Sequence, residues 1–167
     1  MNLLEQAIAK IEASIDAYNE VDTFVMEENI NSITNAGYKL EAVEPLLQLI
    51  ERHPTAYFGD PGAIVHFIEQ FGTEYEKYLV ESLKRTPGST TVWMLNRCIN
   101  AGGHREALIG LMKEITNRTD VEEEVRGQAQ AQAQEFMESY FYGDAKNDNT
   151  SPQLEFKFGI MKLFDGD

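Results

Sequence analysis

Apolar residues along this chain recur at steps of three and four, the spacing of one face of an α-helix. Leu4, Ala7, Ile8, Ile11, Ile15 and Tyr18 form the first such stripe and predict a helix reaching as far as Tyr18. A second helix is predicted over residues 22–36, stopped by Gly37. A third is predicted over residues 39–52, with Val43, Leu46, Leu47 and Ile50 on its apolar face. Pro45 either kinks that helix or sits in its true first turn. His53-Pro54 ends it, because the residue before a proline is pushed out of the α region.

Residues 54–59 read as a loop. Asp60-Pro61 then reads as an N-cap followed by proline at the first helical position. In the helix that follows, Ile64, Phe67, Ile68 and Phe71 point one way, and His66, Glu69 and Gln70 the other. Gly72 breaks the pattern, and Thr73 and Glu76 have the spacing of a capping box. Tyr75, Tyr78, Leu79 and Leu83 make the next stripe. After Thr86-Pro87-Gly88, Ser89 or Thr90 is expected to cap a helix running to Asn100, ended by Gly102-Gly103. A helix over residues 104–116 places Leu108, Leu111, Met112 and Ile115 inside. Thr119 or Asp120 is expected to cap the last long helix, residues 121–140, whose first turn holds three acids where the helix dipole favours them.

The polar, turn-rich segment 143–152 (GDAKNDNTSP) reads as a mobile loop. In residues 153–167, Phe156 and Phe158 alternate like a strand. A lone strand has no partner, so a short helix or extended arm docking on the rest is expected. Residues 1–142 then form a single all-α domain. Short links between helices of this length favour antiparallel pairs, and several pairs side by side give an α-solenoid of the HEAT or armadillo kind. No clean sequence repeat is visible, so a compact helical bundle is the alternative.

A chain of 167 residues is long enough to bury a sizeable core. Charge changes the picture more. The net charge is −14, and residues 1–84 hold 15 acids against 5 bases. Such a field repels nucleic-acid phosphates and anionic lipid and favours a basic partner; it also serves plain solubility. Cys98 is the only cysteine and falls on an apolar face, so it reads as a core residue in a chain without an internal disulfide. The N-terminal stretch is acidic and amphipathic, unlike a signal peptide, and no run approaches the roughly 18–20 apolar residues that span a bilayer. A cytoplasmic location is expected, with the Asn117-Arg118-Thr119 sequon left unmodified.

Candidate chemistry is sparse. On a helical wheel Val92, Met94, Leu95, Cys98 and Ile99 take one side of their helix, and Trp93, Asn96, Arg97 and Asn100 the other. Trp and Arg are enriched in binding hot spots. Trp93, Asn96 and Arg97 are therefore candidates for partner contact, against the plain alternative that a neighbouring helix covers the indole. His66 with Glu69 or Asp60 could move a proton, but a metal site needs three or four ligands. His66 reads more simply as a structural hydrogen-bonder. Asp60-Pro61-Gly62 lacks the further glycines, the lysine and the preceding strand of a phosphate-cradling loop. No nucleophile elbow is present, and the acidic pairs read as solvated faces. No cofactor or metal is expected.

The run FGDPGAIVHFIEQF, followed by Tyr75, Leu79, Ser82 and then TVWMLNRCIN, resembles the HEAT-like immunity proteins that accompany bacterial polymorphic or contact-dependent toxins. The similarity covers about 45 residues in the middle of the chain, with VWMLNR its specific part. It implies a non-catalytic cytosolic protein that binds a cognate toxin domain. Many such toxins are nucleases with basic clefts, which an acidic protein would suit. On this resemblance Trp93, Asn96 and Arg97 lead the expected partner contacts, with Asp60 and His66 next. A general helical adaptor holding a peptide, and a small enzyme built on His66, are the alternatives.

Overall fold

A computed structural model describes residues 1–144, with side chains over residues 1–135. The expected arm at 153–167, and all but the first two residues of the expected loop at 143–152, lie outside the described residues. Among the described residues the chain is all-α. Its helices are α1 (Leu3–Ala13), α2 (Thr23–Asn35), α3 (Val43–Arg52), α4 (Ala63–Glu69), α5 (Glu76–Arg85), α6 (Ser89–Ala101), α7 (Arg105–Asn117) and α8 (Glu123–Asp144). Short 3-10 turns, Leu40–Ala42 and Gly72–Tyr75, lead into α3 and α5. Two compact units result, Met1–Leu95 and the chain from Asn96 onward, with the division falling inside α6.

The first unit is organised by α3. Val43, Leu46, Leu47, Leu49 and Ile50 are all at most 1% exposed and share one broad face of this short helix, with Glu44, Gln48, Glu51 and Arg52 on the other. It packs against α1 and α5, while α1 packs on α2 and α2 on α4. Pro45 sits in the first turn, where its missing N–H costs nothing. The few polar groups of α3 are tied to its neighbours. Arg85 on α5 donates to Glu51 at 2.8 Å and also to Glu44. Arg52 forks onto both oxygens of Glu12 on α1, at 2.9 and 3.0 Å, and His53 Nε2 meets the same carboxylate at 2.7 Å.

In the second unit α7 packs on α8. Leu108, Leu111, Met112 and Ile115 are buried, as are Val121, Val125, Ala129 and Ala133. The last three are spaced four apart, a narrow seam that lets α7 come close.

Helix ends depart from the sequence rules in several places. The first helix stops at Ala13 and does not reach Tyr18. Asp16 takes the amides of Tyr18 and Glu20 with its carboxylate, at 2.8 and 3.1 Å, and Asn19 turns left-handed at φ 64°, so a side-chain turn outcompetes the helix. Tyr18 is left 85% exposed. Asp60 is not the cap of α4. The Asp60-Pro61 peptide is cis, and Gly62 occupies the N-cap. The reason is space: a Cβ on Gly62 would lie 1.8 Å from the Phe58 carbonyl oxygen. Thr73 and Glu76 form no capping box, because the 3-10 turn runs directly into α5 and the Glu76 N–H bonds to the Thr73 carbonyl. Neither Thr119 nor Asp120 caps α8, which starts at Glu123. Both Asp120 oxygens are held by Arg118, at 2.7 and 2.9 Å. At its far end α8 continues through Asp144, so residues 143 and 144 are helical rather than loop.

Candidate functional site

A surface depression of the first unit lies between α2 and α4 and encloses about 640 Å³. One wall is the face of α2 that carries Thr23, Met26, Glu27, Ile30, Asn31 and Thr34. These residues follow the i, i+3, i+4, i+7 pattern over three turns, which makes the wall about 16 Å long. The other wall is α4, through Ala63, His66, Phe67 and Gln70, with Tyr57 and the Gly59–Gly62 turn closing one end. Met26, Ile30 and Phe67 are all but buried and form an apolar floor. Glu27, Asp60, His66 and Gln70 are exposed on the flanks. The charge lining the groove is two carboxylates, with no lysine or arginine among the lining residues.

Backbone contacts set the position of the walls. The segment before α2 pairs with the segment before α4: Val21 N–H donates to the Tyr57 carbonyl at 3.0 Å, and Tyr57 N–H to the Asn19 carbonyl at 2.9 Å. Asn19 Nδ2 adds a bond to Thr55 Oγ1 at 2.9 Å. The pairing leaves the Tyr57 ring half exposed, and a second aromatic, Phe24 on the first turn of α2, is exposed as well. The start of α4 is pressed against the Phe58 carbonyl and the Met26 side chain on α2 through Gly62. On α2, Thr34 spends its hydroxyl on the Ile30 carbonyl at 3.0 Å, and on α4 Gln70 spends its amide on the Phe67 carbonyl at 2.8 Å. The carboxylates of Glu27 and Asp60 and the imidazole of His66 are the groove's chemistry. They can accept hydrogen bonds from a cation, and the floor can cover an alkyl stem.

Asp60 and His66 are thus brought to one groove. Glu69, half-buried on α4, does not line it. The sequence reading missed Glu27 and Tyr57. Tyr57 sits in the YFGDPG run, and its signal is a large aromatic among turn residues; Glu27 carries no signal beyond its place on the polar side of α2.

The other three candidates lie on α6, where the helical wheel holds. Val92, Met94, Leu95, Cys98 and Ile99 are buried. Trp93 and Asn96 are half-buried, and Arg97 is exposed. Asn100 Nδ2 donates to Asn96 Oδ1 at 2.7 Å, so the two amides engage each other along the helix. Thr91, fully buried on the same helix, exchanges hydrogen bonds with Gly88, its Oγ1 accepting from the amide at 2.9 Å.

The histidine that meets a carboxylate is His53, through Glu12, a pairing across 41 positions that spacing cannot reveal. The Arg52 guanidinium, by its hydrogen bond, holds the Glu12 carboxyl below its ordinary value of 4.5, with His53 adding to the effect and partial burial opposing it. In the second unit Arg118 does the same for Asp120. Among the described residues no three His, Cys, Asp or Glu side chains converge as a metal-ligand set, and no helix is long and apolar enough to cross a membrane. No protein-family model matches the chain, and no curated protein or solved structure shows significant similarity to it.

Proposed function

We propose that this chain is a non-catalytic protein-binding module, an immunity protein that neutralises a cognate bacterial toxin domain by stoichiometric binding in the cytoplasm. One observation carries the proposal: an open groove with an apolar floor and carboxylate flanks, set in a unit whose acids far outnumber its bases. A depression open to solvent suits a protruding piece of another protein. Its charge suits a basic one, the class to which nuclease toxins belong. The resemblance of the Phe58–Asn100 region to HEAT-like immunity proteins supports the same conclusion, as do Trp93 and Arg97 on the less buried side of α6. HEAT-like stacking of the helical pairs belongs to the proposal too. Its support is that consecutive helices pack on each other, α1 on α2 and α7 on α8.

The test is co-expression with a toxin domain encoded beside this chain. Growth should be rescued, and the two proteins should elute together as an equimolar complex. Trp93→Ala, with its far-UV circular dichroism intact, should weaken rescue. Failure of the wild-type chain to protect against any adjacent toxin domain would overturn the assignment.

A further inference from the structure

We propose that the α2–α4 groove is the docking site for a cationic segment of a protein partner, which inserts an arginine or lysine side chain along its floor. The inference rests on the protein-binding reading above and gives that reading a place and a chemistry.

Three features of the groove converge on this occupant. The first is electrostatic: Glu27 on the α2 wall and Asp60 at the α4 end are exposed carboxylates, and the lining residues include no lysine or arginine to neutralise them. A bare acidic face would be solvated and would select nothing, but here the acids flank a depression floored by Met26, Ile30 and Phe67. That combination matches the build of a long basic side chain, an alkyl stem ending in a charge. The second is aromatic: Tyr57 lines the groove and is 50% exposed. A cation within reach of such a ring gains from the negative π face, and guanidinium also stacks on it. The third is size. A volume of about 640 Å³ holds one or two side chains with a short stretch of backbone, which fits a protruding segment.

Carboxylates and a tyrosine ring both discriminate against anions, so a nucleic-acid or anionic-lipid occupant is disfavoured. An acidic peptide would meet two like charges. A purely apolar helix would leave Glu27 and Asp60 beside hydrocarbon, with their hydration lost and no counter-charge gained.

The experiment uses the full chain and two synthetic peptides. One is an acetylated, amidated twelve-residue peptide of alanine and leucine with three arginines; the other has citrulline in their place, which keeps the shape and removes the charge. Amide chemical shifts are followed by nuclear magnetic resonance as each is added. The arginine peptide should move the amides of Gly59, Asp60, Gly62, His66 and Gln70, and the citrulline peptide should bind at least about tenfold more weakly. The double variant Glu27→Gln, Asp60→Asn should lose binding by a similar factor. A control pair at the start of α8, Glu122→Gln and Glu123→Gln, should leave it unchanged.

Shifts spread over the whole acidic surface, equal loss in the control pair, equal binding of the citrulline peptide, or no movement at the groove up to millimolar peptide would each overturn the proposal. If the groove variant proves unfolded, the comparison of arginine with citrulline on the wild-type chain still decides. Rescue from a toxin that persists in a folded Glu27→Gln, Asp60→Asn variant would overturn the groove and leave the immunity reading standing. Peptide binding at the groove in a chain that protects against no toxin would do the reverse.

Discussion

Glu12 shows how much a single side chain can join. Its carboxylate takes both arms of Arg52 and one nitrogen of His53, fastening α1 to the end of α3. The Arg52 hydrogen bond, then the His53 contact, lower its pKa in the folded state. A depressed folded value means the carboxylate is worth more in the native chain than in the unfolded one. Its contribution is complete above the unfolded value of 4.5 and disappears as pH falls through the lower, folded value. Both partners are partly solvated, so the contribution is a few tenths to about 1 kcal/mol. Urea midpoints measured between pH 6 and pH 3 should therefore fall less steeply for Glu12→Gln than for the parent. None of this was legible beforehand. Asn2 and Asp22 cap α1 and α2 and could be found by local rules, whereas Glu12 and Arg52 are forty residues apart. Separation in sequence likewise hid Glu27, while Asp60 and His66 were named as candidate partner contacts.

Among the elements, α4 depends most on one position. Gly62 has an ordinary extended backbone, φ −95°, so its requirement for glycine is not conformational. It is the Phe58 carbonyl that leaves no room for a methyl group. Gly62→Ala should cost about 1–3 kcal/mol, as crowding does in a packed region, and should loosen α4 from α2. Gly110 offers the contrast: it lies inside α7, and nothing lies within 4 Å of the place where a Cβ would sit. Gly110→Ala should stabilise by about 0.5–1 kcal/mol, since alanine loses less backbone freedom in a helix. Thermal melts of the two variants, read against the parent, check both signs. Helical periodicity located most of these elements because an apolar stripe answers to burial, and stop and cap signals placed the second and last helices. The ends were less legible. Local propensity rules favoured Asp60 and Thr73 as caps, and tertiary contact or a preceding 3-10 turn decided otherwise.

At the scale of the whole molecule, charge is the property read most directly. A net −14 will steer a basic partner by its long-range field, and that steering is screened within about 8 Å at physiological salt. The association rate with a basic toxin domain should drop several-fold between 50 and 500 mM sodium chloride while the dissociation rate changes less, a difference stopped-flow mixing can resolve. The all-α character was also plain from periodicity. The pairing of α2 with α4 was not, because both helices offer unremarkable amphipathic faces and a loop, α3 and a further turn separate them.

That pairing is riveted at one end by main-chain bonds between residues 19–21 and Tyr57. The two banks of the cleft therefore cannot spread at that end without sacrificing peptide hydrogen bonds. Whatever enters must suit a fixed girth there, and any adjustment must come from farther along the cleft. Discrimination among guests would then begin with thickness, before a single charge is compared.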